Sequence, residues 1–290
     1  MDWVNAIVQG ALTGGLYALF ACGLSLMFGV MRVVNLAHGD LATLAGYIGV
    51  GVIAAARIPF LWAVPIVVVI MAALGYVAQR TLIQAAIKRG ELTTLIVTFG
   101  LSMVIENALL AFFSANSRGL GVNQSIVTAS FSIGPIRLAW LNVVIFVLAV
   151  IVLLGLARFL SGTRYGRLIR AVADDREAAQ LAGADYRHVL GVAASIAFGT
   201  VALAGTAYGM TTTINPTTGT DTILLFAFAA VVIGGLGSLW GTLAGGIVLG
   251  IAQQIGAQLN ISYELLAGYL VFLVVLIIRP QGLTARRSQS

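Results

Sequence analysis

WVNAIVQGALTGGLYALFACGLSLMFGVM, residues 3–31, runs from Trp3 to Met31 without a single charge. A helix needs about 20 apolar residues to cross the roughly 30 Å hydrocarbon core of a bilayer, and this stretch exceeds that. It is also too long for the apolar region of a secretory signal, and Asp2 stands where a basic n-region would. The expectation is a retained first membrane span. Cys22, the single cysteine, lies inside it, so no intrachain disulfide can form and the thiol reads as a small packing group.

The rest of the chain has the same character. Hydrophobic residues make up 60% and charged residues 9%, with a mean hydropathy of +1.02. Soluble domains carry roughly 25% charged residues. Further spans are expected at Leu41 to Ala56, Pro59 to Gln79, Leu92 to Ser114, Leu138 to Ala157, Val189 to Thr213 and Leu265 to Ile278, the last extended backward by Ile261 to Glu264. Thr222 to Tyr263 is uncharged throughout. As one helix it would be about 63 Å long, twice the thickness of the core. It must fold back, and Gly234, Gly235 and Gly237 mark the break, which makes its first segment unusually short. The fold class is therefore all-α, a polytopic transmembrane bundle of about eight or nine segments with broken or short helices. Residues 1–290 read as a single membrane domain carrying a cytoplasmic loop at 158–188.

Arginine and lysine set the orientation. With the N-terminus outside and nine crossings, Arg32, Arg80, Lys88, Arg89, Arg158, Arg164, Arg167, Arg170, Arg176, Arg187, Arg279, Arg286 and Arg287 lie inside. Only Arg57, Arg118 and Arg137 lie outside, which satisfies the positive-inside rule. The net charge of +6 is thus a topology signal in short loops, not a nucleic-acid face. The Ser114 to Arg137 loop becomes periplasmic. Thr43-Leu44-Ala45-Gly46 recurs as Thr242-Leu243-Ala244-Gly245, which raises the prospect of an internal repeat. Small residues four apart (Gly237, Gly241, Gly245; Gly246, Gly250; Ala42, Gly46; Ala45, Gly49) predict flat helix faces for close packing.

Polar residues within the spans are few. Asn35, His38 and Asp40 cluster before the second span, where they are expected near the cytoplasmic interface, capping broken backbone. His38 and Asp40, two apart, would face different ways on a helix. Glu106 and Asn107 interrupt the fourth span, and an ionisable group there needs a partner or a water-filled path. No metal-ligand spacing, no nucleophile with an obvious base and no G-x-x-x-x-G-K-[ST] occurs, so neither enzyme chemistry nor ATP binding through a P-loop is expected, and no cofactor is implied.

The cytoplasmic loop contains Gly166, Arg170, Ala171, Asp174, Asp175, Glu177, Ala178, Leu181 and Gly183. Asp174 is expected to cap a short helix with Glu177 closing a capping box, Gly183 to end it, and Asp185 to cap the next span. Ala178, Leu181 and Ala182 form one small apolar face. A helix of about two turns is unstable alone in water and needs a docking partner.

Gly166-x-x-x-Arg170-Ala171-x-Ala173-x-Asp175, followed by Ala178 and Gly183, resembles the coupling loop of bacterial ABC-importer permeases. Asn35-Leu36-Ala37-His38-Gly39 after the Gly23 to Gly29 run, Ile214-Asn215-Pro216 and Gly234-Gly235-Leu236-Gly237-Ser238 resemble the branched-chain amino acid permeases of that class. The resemblance covers nearly the whole chain. It implies an inner-membrane permease subunit, with a second, paralogous permease, two cytoplasmic ATP-binding subunits and a periplasmic substrate-binding protein as partners. It further implies alternating access driven by the ATPases and coupled through residues 170–183. Asn35, His38, Glu106 and Asn107 are the expected pathway residues. Permeases for urea and short amides look alike in the same motifs. An ion-coupled secondary carrier, working through Glu106 and Asp40, is the alternative of another class.

Overall fold

The computed structural model describes residues 2–120, 129–133 and 136–284. Among the described residues, eight helices are long and apolar enough to cross a membrane, and a shorter apolar helix spans Gly219–Gly234. The helices are α1 (Asp2–Met31), α2 (His38–Ala56), α3 (Phe60–Ala78), α4 (Glu91–Phe113), α5 (Trp140–Gly162), α6 (Arg164–Asp174), α7 (Arg176–Leu181), α8 (Tyr186–Thr211), α9 (Leu224–Gly234), α10 (Leu239–Leu259) and α11 (Glu264–Ile278). The all-α polytopic bundle expected from composition is the observed fold.

α1 and α8 are central: 89% and 78% of their most apolar windows are buried, against 6% for the helix ending in α11. Polarity does not decide the difference, because every span is apolar. Small residues do. A Cβ on Gly14 would lie 2.5 Å from Ile247 Cα, and one on Gly246 would lie 2.5 Å from the Gly14 carbonyl. α1 and α10 therefore touch backbone to backbone, which only glycine permits. The Gly246 and Gly250 face expected from spacing is this contact, and Gly241 and Gly245 lie in the same way against α9.

α3 continues through a π-helical turn, Gln79–Ile83, into Gln84–Ile87, and a second π-helical turn, Gly219–Ile223, leads into α9. A pattern of apolar residues does not announce such one-residue bulges. The expected third span therefore stops too early. The fifth starts later than expected, because Leu138 belongs to a two-stranded hairpin, Ser130–Ile133 with Ile136–Ala139. The break after Gly234 falls where expected, with φ of 106° at Gly235 and 81° at Gly237.

Arg118 and Ile214 pair by backbone hydrogen bonds of 2.8 Å at one end of the bundle. At the other end Arg176 Nη2 donates to the Met31 carbonyl at 3.0 Å, and Leu283 N–H donates to the Ile233 carbonyl at 2.8 Å. Residues 212–234 thus run from the first of these ends to the other through the short helix Gly219–Gly234. Arg286 and Arg287 lie outside the described residues, as does part of the Ser114 to Arg137 loop.

Candidate functional site

Arg32, at φ 56°, ends α1 and turns the chain. The chain then goes back into the bundle, not along its rim. His38 Nε2 lies 2.7 Å from the Phe20 carbonyl, and Phe20 is eleven residues before Met31, about 16 Å back along α1. Asn35, His38 and Asp40 are all fully buried. This corrects the expectation that they sit near the cytoplasmic interface: α2 begins near mid-membrane. The signal for it was available in Gly23, since a Cβ there would lie 3.0 Å from His38 Cε1 and 2.8 Å from the Ala197 carbonyl. Gly23 makes room for the re-entering histidine.

The capping part of that expectation holds for Asn35. Its Oδ1 accepts from Ala37 N–H at 3.1 Å, and the His38 N–H closes a turn on the Asn35 carbonyl at 3.2 Å. Asn215 does the same at the opposite approach. Its Oδ1 accepts from Thr217 N–H at 3.1 Å, and the Thr218 N–H reaches the Asn215 carbonyl at 3.1 Å. Each asparagine stands four residues before a glycine, Gly39 and Gly219, and those glycines touch: a Cβ on Gly39 would collide with the Gly219 carbonyl. Two broken helices, α2 running outward and α9 running inward, therefore start from one junction.

The residues after the two glycines bond across the junction. Thr220 Oγ1 lies 3.0 and 3.1 Å from the two carboxylate oxygens of Asp40 and 3.3 Å from Oε2 of Glu106. Ser102, from α4, also donates to Asp40 Oδ2. Glu106 thus has its partner, and Asp40, Ser102 and Thr220 join it in one buried to half-buried network from three segments. His38 faces α1 instead, as the two-residue spacing implied. Asn107 is exposed on the other side of α4, with Nδ2 folded back on the Met103 carbonyl at 2.8 Å. Sequence reasoning missed Ser102 and Thr220, since a lone hydroxyl in an apolar run has no periodic signature.

The segment 164–183 is a two-helix hairpin. Thr163 caps α6 through Gly166 N–H at 2.9 Å, and Gly166 is pressed against the Phe159 carbonyl, leaving no room for a Cβ. Gly166, Ile169 and Val172 face inward, while Arg167, Arg170 and Ala171 face out. The cap of α7 is Asp175, not Asp174: its Oδ1 accepts from Glu177 N–H at 2.9 Å and Ala178 N–H at 3.0 Å. Asp174 is the last residue of α6, so α6 holds the backbone that the expected capping box required. Gly183 ends the hairpin at φ 88°, and Asp185 caps α8 through Arg187 and His188 N–H groups at 3.0 and 3.2 Å. Ala179 is the buried residue of α7. Ala178, Leu181 and Ala182 point away from the bundle, with Leu181 91% exposed, beside a cleft of about 710 Å³ between α6, α7 and the start of α8.

A multi-pass bundle in which two broken helices meet at mid-membrane is the architecture of a membrane transport protein. The particular kind follows from comparison: the chain belongs to the family described as branched-chain amino acid transport system / permease component, whose profile matches residues 6–279. It is 27% identical to the high-affinity branched-chain amino acid transport system permease protein BraD of Pseudomonas aeruginosa, over 98% of this chain and 96% of that protein. It is likewise 27% identical to the corresponding protein LivH of Escherichia coli K12, with the same coverage. A fructose import permease protein, FrcC of Rhizobium meliloti, is 32% identical over 66% of this chain and 56% of its own length. No solved structure matches the chain.

Proposed function

We propose that this single-domain permease moves branched-chain amino acids across the bacterial inner membrane as one subunit of an ABC importer. The observation that carries the reading is the capped hairpin α6–α7, which presents Leu181 and its alanine neighbours to solvent at the arginine-rich end. An exposed apolar face on a six-residue helix makes sense when another protein covers it. The occupant is a cytoplasmic ATP-binding subunit, one of two. The hairpin residues Gly166, Arg170, Ala171, Asp174, Asp175, Glu177, Ala178, Leu181 and Gly183 transmit its movement to α5 and α8. A paralogous permease and a periplasmic binding protein complete the importer. ATP hydrolysis occurs on the partner subunits and not on this chain.

Transport proceeds by alternating access. The substrate path passes the junction of α2 and α9, where Asn35 and His38 shape the break and Glu106 supplies an ionisable group at depth, with Asn107 on the flank of α4. Separate half-helices can tilt without breaking a continuous backbone ladder, which suits a segment that must have two positions. The substrate assignment rests on the relatives BraD and LivH, both named for branched-chain amino acids.

The test is uptake into vesicles holding the assembled complex. Labelled leucine should accumulate only with internal or external ATP at the ATPase face and with loaded binding protein, and unlabelled isoleucine and valine should compete while urea and fructose do not. Urea uptake would replace the substrate and keep the class. The buried Asp40–Glu106 network favours a second reading, an ion-coupled carrier. Uptake by the chain alone, abolished by a protonophore and indifferent to ATP, would establish that reading and end the first.

A further inference from the structure

Four cations converge on one pocket at the cytoplasmic end of α3. Arg80 comes from the π turn, Lys88 and Arg89 from just past the helical turn Gln84–Ile87, and Arg187 from the start of α8, about a hundred residues later. The pocket has a volume of about 460 Å³ and is completed by Gln84 and Ala85. Among the described residues none of the four cations forms an ion pair. Asp185, the carboxylate that attracts Arg187, is already engaged by two backbone N–H groups. Gln84 is 6% exposed. Its Oε1 accepts from Gln79 Nε2 at 3.4 Å, and its own Nε2 makes no hydrogen bond among the described residues.

Topology alone does not require this arrangement. The positive-inside rule needs basic residues in a loop, at any angle. Here two guanidiniums are held in place by tyrosines. Arg80 Nη1 donates to Tyr76 Oη at 3.1 Å and sits over the same ring at 5.7 Å. Tyr76 is itself fixed by His188 Nδ1, 2.9 Å from its hydroxyl. Arg187 Nε reaches Tyr186 Oη at 3.5 Å, with the guanidinium 6.0 Å from that ring. Each arginine uses one donor on its tyrosine and keeps the rest of its fork free for a tetrahedral oxyanion. The π turn contributes as well, because one-turn bulges of this kind re-aim side chains and cluster at functional positions.

We propose that this pocket binds a phosphoryl group, and that the group is the headgroup of an anionic phospholipid of the cytoplasmic leaflet. The unpaired fork donors, the amide of Gln84 and the charge of four cations recognise the phosphate. The apolar side chains one and two turns toward the membrane centre, Val77 at 56% exposure and Leu74 at 42%, lie where the acyl chains descend. A bound lipid would tie the end of α3 to the start of α8, next to the α6–α7 cleft lined by His188, the residue that fixes Tyr76. Basic pockets between spanning helices on the cytoplasmic side have this chemistry in general. The site is independent of the substrate and of the partners proposed above.

Lipid retention on the purified full chain tests it, without reference to transport. The chain is exchanged into detergent with equal phosphatidylglycerol and phosphatidylcholine, and retained lipids are counted by native mass spectrometry. Wild type should keep one phosphatidylglycerol in preference to phosphatidylcholine. Arg80→Gln with Arg187→Gln should lower that retention about tenfold or more, as loss of two charge-assisted contacts implies. Arg164→Gln with Arg167→Gln removes the same charge outside the pocket and should leave it unchanged. If the first pair does not purify, Lys88→Gln with Arg89→Gln reads the same site. Millimolar inorganic phosphate added in competition separates the sources: no displacement supports a lipid, and full displacement assigns the pocket to a soluble phosphate instead. Equal retention by wild type and the pocket variants, or equal loss in the control pair, overturns the proposal. So does protection of Arg80 and Arg187 by the ATP-binding subunit in a lipid-free complex, which would make the pocket a protein interface.

Discussion

Thr220→Val is the sharpest probe of the helix junction. Valine keeps the β-branched shape and nearly the volume, so it fits the π turn Gly219–Ile223, and it removes one O–H. That hydroxyl lies 3.0 and 3.1 Å from the Asp40 oxygens and 3.3 Å from Glu106 Oε2. Asp40 keeps Ser102, whereas the Glu106 side chain has no other hydrogen bond among the described residues. Leaving a buried hydrogen-bonding group unsatisfied costs about 1–3 kcal/mol, so the arrangement that joins α2, α4 and the π turn should lose roughly 5- to 150-fold in relative population. The loss falls on whichever access state has this network closed. Uptake by the reconstituted complex should therefore drop at least about fivefold while the protein remains in the membrane. Thr220→Ser, which restores the hydroxyl, should recover most of it. Thermal stability of the detergent-purified chain, read in parallel, separates a shifted equilibrium from simple unfolding. If Thr220→Val matches wild type in both uptake and stability, the network carries neither fold nor function, and the junction is only a packing point.

Other changes test other parts of the structure. Gly183→Val places a β-branched residue at φ 88°, a local cost of roughly 1–2 kcal/mol. With nothing within 4 Å of its Cβ, membrane yield should be unchanged, while binding-protein-stimulated ATP hydrolysis and uptake fall together. Asp175→Ala should lower hydrogen-exchange protection at Ala178 by removing a cap contributing about 1 kcal/mol, whereas Asp174→Ala should not; the reverse order would restore the capping box expected from the sequence. Gly14→Val drives a side chain into the backbone at Ile247. It should cost about 1–3 kcal/mol by overpacking and show as reduced folded yield after detergent extraction, with Gly155→Val, which faces open space, as the harmless comparison.

The spans were legible because lipid imposes one strong rule on every residue in them: twenty apolar residues or no crossing. Their depth was not. Asn35 to Asp40 read as interfacial because polar residues are cheap there, and nothing in a local window says that Arg32 turns the chain inward. Depth is set by what the segment meets, here the Phe20 carbonyl and the space left by Gly23. Glu106 was recognised as needing a partner, but the partner lies 114 positions away and is an ordinary threonine. The capping error has a different cause. Asp174 and Asp175 are chemically the same cap, and the choice between them was made by α6, whose inward residues Gly166, Ile169 and Val172 hold the helix through Asp174.

Thr43 to Gly46 and Thr242 to Gly245 match letter for letter, yet they lie in α2 and α10 against different neighbours, Gly46 beside Ile214 and Gly245 beside Ala230. The segments that correspond in structure share only Asn-x-x-x-Gly: Asn35 to Gly39 and Asn215 to Gly219. What repeats there is a set of physical tasks. An asparagine turns the re-entering chain by accepting its own i+2 N–H. A glycine lets the two backbones touch. The next residue, Asp40 on one side and Thr220 on the other, hydrogen-bonds across the contact. Few positions are constrained by those tasks, so sequence identity between the halves can fade while the junction persists. The opposite directions of α2 and α9 from that point are the feature that an inverted pair of half-helices contributes to a transporter: two positive helix ends held together at mid-membrane, each on an arm that can move separately.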